Sequence, residues 1–87
     1  MTDDEMDLFS TPDCPHCRSA RDYLSSRGVS YREHDVSRDQ DALRRMLALS
    51  GRASVPTIRA GNEVLVGFDR AMLDQMIKRI KRAGDPE

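Results

Sequence analysis

Cys14-Pro15-His16-Cys17 stands where a short apolar run gives way to a helical repeat, and the chain holds no other cysteine. Two thiols with two residues between them, placed at the opening of a helix, can close a disulfide with each other. That placement predicts a strand–loop–helix unit presenting the pair at the strand's end, the arrangement of a dithiol exchange site. The 87 residues suffice for one small domain, which buries roughly 60% of its unfolded surface. Acidic side chains number 15 and basic ones 14, for a net charge of -1. This balance argues against nucleic-acid binding, which needs a clustered positive field. The basic run Lys78-Arg79-Ile80-Lys81-Arg82 lies at helical spacing with Met76, Ile77 and Ile80 and reads as a solvated helix face. The start, Met1 to Asp7, is acidic and has no apolar run. No signal peptide or membrane span is therefore expected, and a cytoplasmic location is. In that compartment a cysteine pair is more often catalytic, redox-sensing or metal-binding than a structural staple.

The pattern along the chain predicts the order βαβαββα. Asp7 to Ser10 reads as a buried strand, with Met1 to Met6 frayed ahead of it. A helix starts at Pro15, favoured at the first helical position, and ends at Gly28. Val29 to Val36 reads as a second, partly polar strand near a sheet edge. Ser37 and Gln40 have capping-box spacing for a helix from about Arg38 to Ser50, closed by Gly51. Val55–Ala60 and Glu63–Val66 are strands joined by the hairpin signal Gly61-Asn62. Asp69 caps a last helix carrying Met72, Leu73, Met76, Ile77 and Ile80, and residues 83–87 are expected to fray. The alternation implies an α/β fold with a four-stranded mixed sheet flanked by three helices, as a single domain.

A free thiol is only a few per cent ionised at neutral pH. A helix N-terminus supplies unpaired N–H groups and the positive end of the dipole, both of which favour the anion. Cys14 precedes Pro15 at that end, so it is the expected nucleophile. Cys17, about a turn further and facing the core, is the expected resolving thiol. Pro15 stiffens the link, and His16 could stabilise the Cys14 anion by charge or hydrogen bond. Zinc is the rival reading of Cys14, Cys17, His16 and His34. His16 lies between the cysteines, His34 stands alone in a strand, and no second Cys-x-x-Cys exists, so no metal site is expected.

From Leu8 to about Arg82 the chain resembles the glutaredoxin family of the thioredoxin-like superfamily. The resemblance rests on Cys14-Pro15-His16-Cys17, Ser50-Gly51-Arg52-Ala53-Ser54-Val55-Pro56 and Val66-Gly67-Phe68-Asp69. It implies a cis Val55-Pro56 peptide beside the cysteines, where the backbone of Val55 pairs with incoming substrate. It also implies a substrate or glutathione groove formed by Thr11, Arg52, Val55, Pro56, Gly67, Phe68 and Asp69. Arg52 would pair with a glutathione carboxylate, and Asp69 would grip its α-amino group or cap the last helix. Three departures matter. Pro-His replaces the usual Pro-Tyr or Pro-Phe. Thr11 stands where glutathione-binding members carry a cation. Gly67-Phe68 replaces Gly-Gly and is similar to hydrogen donors of ribonucleotide reductase that are served by thioredoxin reductase. Phe68 would then fill the space that glutathione occupies elsewhere.

The resemblance thus implies a monomeric thiol-disulfide oxidoreductase with no bound cofactor. Its partners would be disulfide-containing proteins, with glutathione or a thioredoxin-reductase-like flavoenzyme as reductant. Two other functions compete. An iron–sulfur carrier would bridge two chains through Cys14 and two glutathiones, but cluster-binding members mostly have a small residue where Pro15 stands. A redox-sensing regulator would need an extra helical segment for which this chain has no room.

Overall fold

The computed structural model describes residues 6–84. Seven elements follow the predicted order: β1 Met6–Ser10, α1 Pro15–Ser26, β2 Tyr31–Asp35, α2 Gln40–Ser50, β3 Thr57–Ala60, β4 Glu63–Val66 and α3 Arg70–Gly84. They form one mixed sheet in the order β2-β1-β3-β4. β1 pairs in parallel with β2, as a strand–helix–strand crossover requires, and antiparallel with β3. β3 and β4 form the hairpin, turning at Gly61 with φ +62°.

β1 lies inside the sheet, and all five of its residues are buried. Strand alternation sends Met6 and Leu8 to one side and Asp7 and Phe9 to the other. On the first side Met6 and Leu8 pack with Ala20 and Leu24 of α1, Ile58 and Ala60 of β3, and Leu73, Met76 and Ile77 of α3. On the second, Phe9 packs with Ala42 and Met46 of α2, flanked by Val36, Leu43 and Val55. The helices therefore cover both faces, which is why all five residues of the inner strand are buried, Asp7 and Ser10 included.

Several boundaries differ from the sequence reading. Met6, expected to fray, opens β1 between Tyr31 and Ala60 and is fully buried. Met1 to Glu5 and Asp85 to Glu87 lie outside the described residues. β2 is shorter than 29–36, and Val29 instead packs at the margin of the first core. The Ser37–Gln40 capping box does not form. The Asp35 carboxylate accepts from the Ser37 amide (2.9 Å), and Asp39 caps α2 by accepting from the Ala42 amide (3.1 Å). Both Ser37 and Asp39 are good caps, and the turn held by Asp35 leaves Asp39 at the helix entry. β3 begins at Thr57, two residues later than expected, after the loop that carries Val55 and Pro56. Asp69 caps α3 as expected, accepting from the Met72 amide (3.2 Å).

Candidate active site

β1 delivers the chain to the loop 11–14, and α1 begins immediately after it. Cys14 is the N-cap of α1, with extended backbone (φ −99°, ψ 113°) and Pro15 at the first helical position. Its Sγ occupies the place usually taken by a serine or aspartate oxygen and accepts the Cys17 amide hydrogen bond at 3.2 Å. When protonated, the same Sγ donates to the Val55 carbonyl at 3.9 Å. Cys14 is partly exposed and Cys17 fully buried, and both are free thiols.

The two sulfurs sit in opposite environments. Burial pushes the Cys17 thiol up to about 12, reinforced by its hydrogen bond to Cys14 and by the neighbouring Cys14 charge. The Thr11 main chain and the Arg21 guanidinium pull the other way. Iodoacetamide near neutral pH is therefore expected to modify Cys14 and spare Cys17. Fragment-ion mass spectrometry of the peptide ending at Arg18 checks this, and an equal split between the two sulfurs would contradict it.

Around Cys14, two loops meet. Gly51 closes α2 in the left-handed region (φ 74°) and starts the first of them. The Ser50 hydroxyl donates to the Arg52 carbonyl (3.0 Å) and accepts the Arg52 amide (3.1 Å), which fixes the turn. The Thr57 hydroxyl donates to the Ser54 carbonyl (2.7 Å), bracing the end of the loop. The Val55-Pro56 peptide is cis, as the resemblance implies, and Pro56 is buried. The second loop follows β4. The Gly67 amide donates to the Pro56 carbonyl at 2.7 Å, and Gly67 has φ +93°, a conformation that favours glycine.

These contacts bring Cys14, Cys17, Thr11, Val55, Pro56 and Gly67 together, and Asp69, two residues after Gly67, caps α3. Arg52 is exposed three residues before Val55. His16 is exposed and makes no hydrogen bond among the described residues, so its ring acts on Cys14 at most through charge. Phe68 is half-buried, edge-on to Tyr23 with ring centroids 6.2 Å apart, and packs against the first core. Tyr23 in turn donates to Asp74 (3.1 Å) and lies beneath the Arg70 guanidinium (5.7 Å). The start of α3 is thereby pinned to α1. His34 points away from the cysteines, sharing a 2.9 Å hydrogen bond with Asp7 on the α2 side of the sheet.

The glutaredoxin family model matches residues 7–65. The chain belongs to the glutaredoxin family. A glutaredoxin-like 8.6 kDa protein of the Clostridium pasteurianum rubredoxin operon is 32% identical over 72 residues, which cover 83% of this chain and 96% of that protein. Glutaredoxin 3 of Escherichia coli K12 is 30% identical over 80 residues, covering 84% and 96% of the two chains. A mutant form of the thioredoxin-like protein BC3987 superposes with a TM-score of 0.81 at 32% identity, covering 90% of this chain and 97% of that one. The family and the fold together make this glutaredoxin a thiol-disulfide oxidoreductase. Among the described residues no helix is long and apolar enough to cross a membrane.

Sequence reasoning passed over one group at the site. Ser10, buried at the end of β1, donates to Glu33 of β2 (2.8 Å), and Glu33 is gripped by Arg21 of α1. Arg21 stands four residues after Cys17, on the same helix face, which is the signal that would have found it.

Proposed function

We propose that this glutaredoxin reduces protein and mixed disulfides by a dithiol route in which Cys14 attacks and Cys17 resolves. The reading is supported by one asymmetry. Cys14 is a partly exposed N-cap whose sulfur receives the Cys17 amide, while Cys17 is buried with its thiol pushed up to about 12. In the first step the Cys14 thiolate attacks one sulfur of the substrate disulfide. The substrate S–S bond breaks, a Cys14 mixed disulfide forms, and the departing sulfur takes a proton from water. In the second step Cys17 gives up its proton and attacks the Cys14 sulfur. A Cys14–Cys17 disulfide forms and the second substrate thiol is released. Two electrons have then passed to the substrate.

The Val55 backbone makes no hydrogen bond among the described residues apart from that with the Cys14 thiol. Its N–H and C=O are available to pair with an extended substrate segment, as a strand does. The family works with glutathione and disulfide substrates. For resetting the Cys14–Cys17 disulfide, two reductants fit. The exposed Arg52 offers a cation for a glutathione carboxylate. Thr11 offers none, which favours a flavoenzyme dithiol, and Phe68 packs against Tyr23 of α1 beside the start of α3. The reductant is identified by which regeneration system, glutathione with its reductase or thioredoxin reductase, sustains turnover.

The mechanism is tested by Cys17→Ser. With the resolving thiol absent, reaction with a protein disulfide is expected to stop at a stoichiometric mixed disulfide on Cys14, visible as an intact-mass increase. Absence of that adduct, with substrate still reduced, would remove Cys17 from the mechanism.

A further inference from the structure

The second step poses a physical problem. Cys17 is fully buried, and a buried sulfur must become an anion before it can displace the substrate. The groups that act on it are few. Cys14 faces it from the N-cap and carries no charge once it is tied in a mixed disulfide. The Thr11 main chain faces it from the loop after β1. Arg21 stands one helical turn along α1, and behind Arg21 lie Glu33 and Tyr31 of β2.

Arg21 does not move freely. Its Nε donates to both Glu33 carboxylate oxygens (3.1 and 3.0 Å) and its Nη2 to one of them (2.7 Å). Glu33 is itself held by the Ser10 hydroxyl at 2.8 Å, and Ser10 is buried at the end of the strand that leads into the cysteine loop. Both ends of the Arg21–Glu33 pair keep about a third of their side-chain surface in water. Such a pair adds little to stability. It also holds a guanidinium one helical turn along α1 from Cys17, the thiol that must ionise while buried.

We propose that Arg21 is a positioning residue for the resolving step: held by Glu33 and Ser10, it provides the cationic field in which the buried Cys17 thiol becomes the attacking thiolate. The proposal rests on the dithiol route given above and assigns Arg21 to its second half only. In that half Cys17 loses its proton to water and attacks Cys14 Sγ. The Cys14–Cys17 bond forms as the Cys14–substrate bond breaks, and the electron pair leaves on the substrate thiolate. Glu33 has two opposed effects. It orients Arg21, and its own negative charge weakens the field that Arg21 projects.

Glutamine at 33 keeps an oxygen that can accept from Arg21 but not the charge, and this gives the test a sign. The reduced protein is mixed with a symmetric aromatic disulfide such as dithiobis-nitrobenzoate, and the coloured arylthiolate is followed. The first equivalent reports attack by Cys14 and the second reports resolution by Cys17. Arg21→Met is expected to leave the first phase unchanged and to slow the second about three- to tenfold, moving its pH profile upward. Arg21→Lys keeps the charge and is expected to restore most of the rate. Glu33→Gln is expected to speed the second phase and move its profile downward. A second phase with an unaltered pH profile in Arg21→Met and Glu33→Gln, behind a normal first phase, would overturn the role of Arg21 while leaving the dithiol route intact. Loss of the two-phase release in the unsubstituted protein would instead overturn the route itself.

Discussion

Replacing Cys14 with serine is expected to lower turnover of a protein disulfide by about a thousandfold or more. A hydroxyl is not ionised at neutral pH, and the helix terminus cannot make it so. The remaining thiol offers no substitute, since Cys17 is fully buried and pushed up to about 12. The substitution also separates chemistry from folding. Serine is a favoured N-cap, and its oxygen can accept the same Cys17 amide that Cys14 Sγ accepts now. The variant should therefore melt at the same temperature as the parent or slightly above it. Insulin reduction, followed by turbidity, together with a thermal melt, checks both halves. More than about a tenth of the parent rate in a well-folded variant would mean that another group attacks the substrate.

The same geometry explains why the placement of the two cysteines was legible in the sequence. Cys14, Pro15 and Cys17 act through a local motif, a cap and the first turn of one helix, and local motifs are written in consecutive residues. The last helix was legible for the same reason, through Asp69 and the repeat of Leu73, Met76 and Ile77. Where two local signals competed, the reading failed. Ser37 and Asp39 both satisfy the rules for an N-cap, and the choice fell to the Asp35 side chain, whose hold on Ser37 belongs to the turn rather than the helix. Met6 failed differently. Its burial comes from Tyr31 and Ala60, strand partners that an isolated N-terminal stretch gives no hint of. The cis state of Val55-Pro56 was expected only through the family resemblance, because the residues around it allow a trans proline opening a strand equally well.

Asp7 was the least legible residue, and its removal should carry the largest cost to stability. Read alone, it is one more acid in a run of them; in the fold it is 4% exposed inside the sheet. Its partners lie far along the chain. His34 shares one carboxylate oxygen (2.9 Å), while Arg59 Nε (2.7 Å) and Arg45 Nη2 (3.5 Å) donate to the other. Burial pushes the Asp7 carboxyl up, but the His34 and Arg59 hydrogen bonds and the two guanidinium charges outweigh it, and the net shift is below 3.8. The direction fixes the pH dependence. An acid more easily ionised in the fold than in the unfolded chain stabilises the fold above its ordinary value and loses that contribution as pH falls through its folded value. Stability due to Asp7 should thus be complete at neutral pH and disappear only below about pH 4.

Asp7→Ala leaves His34 and Arg59 facing an uncompensated gap, and removing one partner of a buried charge cluster costs about 3–5 kcal/mol. For a domain of this size that is a large share of the whole, with a melting point lower by about 12 °C or more. Removing the partner as well should cost less than the sum. Asp7→Ala combined with Arg59→Met is expected to recover part of the loss, because the partly buried cation goes with the carboxylate. Urea melts of the two single variants and the double at pH 7 measure this, and strict additivity would show that the pair is not coupled. Activity per folded molecule should remain near the parent value in all three, since the cluster lies on the α2 side of the sheet and touches neither cysteine. A fall in activity without a fall in stability would mean that β1 transmits the state of Asp7 to the loop bearing Cys14.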